Sequence, residues 1–194
     1  MKKHLFYLAV SISAFISCTH DSGIEKKSSE SRISEVLTET NYSTQKIMYS
    51  LLNEEEKFKI WNDKIDTILA NNNLTKKQTE LIQELKNNLS INLFKYGGIN
   101  DEREIFKTVF VKSYLKKTMN VFSEDFIINN FYYITENSAN VIRSSELPDC
   151  TCNIGSMWSC SGSFECRDSN KCKDTTHGCG FLTFFECTGR CFLY

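Results

Sequence analysis

Apolar positions recur at helical spacing through the middle of the chain. After Asn53, a capping residue, Glu54, Glu55 and Glu56 occupy a first turn, where acids suit the helix dipole. Phe58, Trp61, Ile65, Ile68 and Leu69 follow at spacings of three and four, which predicts an amphipathic helix. Asn71-Asn72-Asn73 breaks the pattern, and Thr75 with Gln78 forms a capping-box pair. Leu81, Ile82, Leu85, Leu89 and Leu93 make a second stripe, ended by Gly97 and Gly98. Asn100 can cap a third helix with the apolar face Ile105, Phe106, Val109, Phe110, Tyr114 and Leu115. Ser123 can cap a shorter one carrying Phe126, Ile127, Phe131 and Ile134, and a weaker helix is expected over Ile33 to Leu52. Between Lys26 and Leu147 there is no proline, and Gly97 and Gly98 are the only glycines, which fits an antiparallel helical bundle with short connections.

The pattern changes at both ends. At the N-terminus Lys2 and Lys3 precede an apolar stretch, Leu5 to Ile16, of signal-peptide length and too short for a membrane span. Ser17-Cys18 closes it, and Phe15-Ile16-Ser17-Cys18 resembles a bacterial lipobox, so lipid on Cys18 is expected. Residues 1–17 read as signal peptide. Residues 18–32 are polar, rich in serine and mixed charge, and read as a lipidated flexible tether. Membrane attachment is then expected through lipid, and the chain is expected to be an exported, cell-envelope lipoprotein.

At the C-terminus the helical period stops at Leu147-Pro148, the place of the chain's one proline and a possible processing point. The expected helical domain is therefore 33–147, followed by a cysteine-rich module over 148–194. Eight of the nine cysteines lie there: Cys150, Cys152, Cys160, Cys166, Cys172, Cys179, Cys187 and Cys191. An even set in an exported segment reads as a framework of four disulfides, with the pairing open. Zinc binding with His177 is the rival, and the lack of a repeated C-x-x-C pair argues against it. Phe181-Leu182-Thr183-Phe184-Phe185 reads as a strand running to a tight turn, with Phe192, Leu193 and Tyr194 returning. Trp158, Phe181, Phe184 and Phe185 are more aromatic surface than such a module usually hides. They either pack on the bridges and the helical region or contact a target. The fold class is thus mainly α: a helical bundle, then a small disulfide-rich module with short β-strands.

The remaining chemistry is sparse. The formal net charge is -1, with no basic face for nucleic acid. No phosphate loop, nucleophile elbow, paired acid set or metal motif presents itself, so neither enzyme activity nor a cofactor is expected. Oligomeric state is open.

The C-terminal module resembles the fulvocin C-related bacteriocins. The resemblance rests on Cys150-Thr151-Cys152, the even spacing through Cys160, Cys166, Cys172 and Cys179, Gly178-Cys179-Gly180, an aromatic before Cys187, and terminal Tyr194. The module departs from that pattern in the wider spacing of Cys187 and Cys191. The resemblance implies four disulfides and an antibacterial peptide released from, or displayed on, a larger precursor, acting on a target-cell envelope component. The alternative is a surface lipoprotein that keeps the module as a permanent binding or adhesion domain.

Overall fold

The computed structural model describes residues 27–71, 73–95, 101–135, 152–156, 160, 164–169, 172 and 178–193. It is mainly helical, followed by a C-terminal region with disulfides and a two-stranded antiparallel sheet.

Side-chain caps set most helix starts. Ser28 caps α1 (Ser29–Thr38) and Asn41 caps α2 (Tyr42–Ser50), each side chain accepting from the backbone N–H three residues on. The weak helix expected over Ile33 to Leu52 is therefore two helices. Asn41 starts the second after an extended break, because its side chain offers the backbone a better partner than continued helix. Full capping boxes open α3 (Glu54–Leu69) at Asn53/Glu56 and α4 (Lys76–Asn88) at Thr75/Gln78. Ser123 caps α7 (Glu124–Phe131).

The expected stripe through Leu93 does not stay on one helix. The helix ends at Asn88, Leu89 is extended with ψ 127°, and a 3₁₀ turn over Ile91–Phe94 carries Leu93 and Phe94 inward. Asn87 and Asn88 are weak helix formers, which suits a stop there. The capping and terminating roles assigned to Asn100, Gly97 and Gly98 fall outside the described residues. The third expected stripe forms α5 (Asp101–Ile105), a π-helical turn over Phe106–Phe110, and α6 (Val111–Thr118) without a break. The π turn stacks Phe106 on Phe110, with ring centroids 4.8 Å apart.

Glu56 shows how the first turn of α3 holds a buried acid. Its carboxylate accepts from the Asn53 N–H at 3.0 Å and pairs with Arg32 of α1 at 2.6 Å. Burial pushes this carboxyl up, but the Asn53 N–H, Arg32 and Ser29 outweigh it and hold it below its ordinary range.

In the C-terminal region β1 (Phe164–Asp168) pairs with β2 (Gly189–Leu193) in antiparallel register, Cys166 opposite Cys191. One apolar cluster collects residues from every helix named above except α5, and it also contains Phe181, Leu182 and Phe184. Among the described residues no helix is long and apolar enough to cross a membrane.

Candidate functional site

The segment between Cys179 and Cys187 is where the cysteine-rich region meets the helices. A disulfide joins those two residues across a sequence separation of 8. Inside it, Cys179 and Phe185 exchange backbone hydrogen bonds, each at 3.0 Å. The chain between them is a tight loop, not the strand expected over Phe181 to Phe185. Phe181–Thr183 forms a 3₁₀ turn, and Leu182 and Thr183 have positive φ, 50° and 60°. A β-branched residue seldom takes that conformation, so surrounding packing must hold it. Gly180 also has positive φ. A side chain there would meet Ser156 Oγ at 2.5 Å and the Phe185 ring at 2.8 Å.

The helices supply that packing. Phe181 and Leu182 are 0% exposed and Phe184 1%. Phe181 sits among Tyr114, Phe131 and Tyr132 at ring distances of 5.5 to 6.1 Å. Phe184 packs on Phe94 at 4.9 Å and on Phe106 of the π turn at 5.5 Å. Polar contacts fix the loop as well. Thr183 Oγ1 donates to the Tyr49 hydroxyl at 3.0 Å, which also accepts from Trp61 Nε1 at 3.0 Å. Arg103 Nη2 donates to the Phe184 carbonyl at 3.0 Å, and its guanidinium lies 5.7 Å from that ring. The exposed target-contact role open to Phe181 and Phe184 is therefore corrected: both are core residues, because the helical cluster has aromatic walls that match them. Phe185 is half-buried, with Lys107 Nζ 5.6 Å over its ring. Trp158 lies outside the described residues.

Lys46 of α2 reaches the base of the loop. Its Nζ lies 2.9 Å from Cys187 Sγ and 3.5 Å from Cys179 Sγ, and 5.6 Å over the Tyr42 ring. Burial pushes this amine down to about 8. Beside it is a cavity of about 10 Å³, lined by Tyr42, Gln45, Tyr49, Tyr132 and Thr183 among others. That is room for about one water. Burial also raises the hydroxyls of Tyr42 and Tyr132, so this corner holds neutral phenols beside the Lys46 amine.

Two further disulfides tie Cys152 to Cys166 of β1 and Cys160 to Cys191 of β2. Cys172 is disulfide-bonded too. Of the cysteines expected to pair, Cys150 lies outside the described residues, as do Cys18 and the processing candidates Leu147 and Pro148. The sulfurs of Cys152, Cys160 and Cys166 come within 4.8 Å of one another, a spacing that could suit a metal. Each is in a disulfide, however, and has no thiolate to give. Bridges of this number indicate an extracellular or otherwise oxidising location.

The sequence pattern pointed to the cysteines and aromatics but not to Lys46, Tyr49 or Arg103. Arg103 stands among Asp101, Glu102 and Glu104, a first-turn acidic run in which nothing marks the one arginine as buried. Comparison of the chain with family models, with curated proteins and with solved structures finds no match.

Proposed function

We propose that this chain is an exported, non-catalytic binding protein of the cell envelope, in which the cysteine-rich region stays docked on the helices as a permanent part of one unit. The observation that carries this reading is the burial of Phe181, Leu182 and Phe184 in the helical cluster. Releasing the tail would return those side chains to water, at a cost of roughly 1.5–3 kcal/mol for each. It would also break the Thr183–Tyr49 and Arg103–Phe184 hydrogen bonds. The helical region thus acts as the seat of the stapled loop. Lipid on Cys18 would hold the unit at a membrane.

A protease site inserted at Leu147-Pro148 tests this. After complete cleavage under non-reducing conditions, the two fragments should elute together on gel filtration. A freely eluting tail that kills related bacteria would support the precursor reading implied by the resemblance to fulvocin C-related bacteriocins, and would end the one proposed here.

A further inference from the structure

The rod made of α5, the π turn and α6 has an outer face that the core does not use. On the inner side Phe106 stacks on Phe110 and meets Phe184 of the loop. A π turn closes hydrogen bonds five residues apart, so side chains four apart lie nearly one above the other. On the outer side the same geometry sets Ile105 above Val109, and these are 60% and 62% exposed. Charge is sorted about this pair. Glu102 and Glu104 precede it, and Lys112 and Lys116 follow it, all exposed. Glu102 accepts from the Ser90 hydroxyl at 2.6 Å and Glu104 from Lys107 at 3.0 Å, each through one carboxylate oxygen. Lys112 and Lys116 are in no ion pair among the described residues. The helix dipole accounts for acids first and bases last. It does not account for two exposed aliphatic side chains between them.

We infer that this face binds a second copy of the chain, the two rods lying antiparallel about a two-fold axis. Turned end for end, the rod brings its acidic end to the basic end of the other copy, and Ile105 and Val109 meet the same pair reversed. A face that complements itself on reversal is what a two-fold interface between identical chains requires. An anionic membrane would attract Lys112 and Lys116 but repel Glu102 and Glu104, whereas a second copy satisfies both ends. The apolar part is small, so the association is weak and reversible. It joins two cysteine-rich regions in one particle. The inference goes beyond the docked reading and does not depend on it.

The test uses the exported chain carrying Cys18→Ser, so that no acyl group drives association. Sedimentation equilibrium should show the average mass rising from monomer toward dimer with concentration, and rising less at high salt. Val109→Asp should weaken association about 10-fold or more, because it would press a charge against aliphatic groups. E102K/E104K puts cations at both ends of the face, and K112E/K116E puts acids at both ends. Each should be monomeric alone, and an equimolar mixture of the two should dimerise again. Adding V109D to both members should end that association, which separates a shaped face from mere attraction of opposite charges. All the substituted residues are exposed, and helical circular dichroism with a cooperative melt checks each variant. The inference is overturned if the unsubstituted chain stays monomeric at every concentration, dimerises equally well as V109D, or if the charge-reversed pair fails to dimerise on mixing. It is also overturned if the chain stays monomeric and instead co-sediments with phosphatidylglycerol vesicles through Lys112 and Lys116.

Discussion

Half-buried Lys46 reaches from α2 to the Cys179–Cys187 disulfide, where its amine lies against sulfur and the Tyr42 ring. Burial moves its amine from 10.5 down to about 8. Below about 8 both the folded and unfolded chains hold the proton, and the folded state bears the full cost of a buried cation. Between about 8 and 10.5 the unfolded chain keeps the proton while the folded chain has lost it. Stability therefore rises with pH across that window. Lys46→Met should stabilise the protein at pH 7 by on the order of 1–2 kcal/mol. Its advantage should shrink as the pH climbs toward 10. Denaturant melts of both proteins at pH 7, 8, 9 and 10 check this, and a constant difference across the series would contradict it. Why a chain keeps such a lysine is a residue-scale question about contact, because its donors are what α2 contributes to the base of the loop.

At the scale of elements, the loop from Gly178 to Cys187 acts as a plug whose shape is set from outside itself. Nothing in Phe181-Leu182-Thr183-Phe184-Phe185 marks it as a loop. Its composition is that of a strand, and a strand is what periodicity expects. The left-handed Leu182 and Thr183 are held because Phe181 and Phe184 must enter separate aromatic slots, with Thr183 between them aimed at Tyr49. The tertiary walls override local preference. The helix starts, in contrast, are readable, because the side chains of Asn53, Thr75 and Ser123 each accept from a backbone N–H only three residues along the chain. The break before Asn41 was missed although its signal is of the same kind, since Ile33 to Leu52 offers little apolar stripe to frame it. The plug should also depend on its staple. Replacing both Cys179 and Cys187 with alanine should cost roughly 2–3 kcal/mol, given the short span closed. The near-ultraviolet circular dichroism of the buried aromatics should survive, since the Cys179–Phe185 backbone pair and the aromatic contacts remain. Loss of that signal together with the bridge would show that the disulfide, and not the packing, forms the plug.

The whole molecule joins two regions that the sequence separates sharply by composition. The abrupt change at Leu147-Pro148 suggests independent units, because eight of the nine cysteines, five of the eight glycines and the one proline lie at or beyond it. Shared burial is a different matter, and composition does not report it. Three side chains of the cysteine-rich region fill the middle of the helical cluster, between the 3₁₀ turn after α4, the π turn, α6 and the end of α7. A chain ending at Leu147 would leave those slots empty. Removing one buried phenylalanine side chain typically costs about 3–5 kcal/mol, and two are lost here along with Leu182. Domains of this size are stable by only about 5–15 kcal/mol. The shortened chain should therefore keep much of its far-ultraviolet helical signal, which the caps support locally. It should also melt without cooperativity and bind a dye that reports exposed apolar surface. Adding the oxidised tail as a separate chain should restore a sharp melt. A sharp melt from the shortened chain alone would show that the helices close over the gap, and the seat for the tail would then be formed by the tail itself.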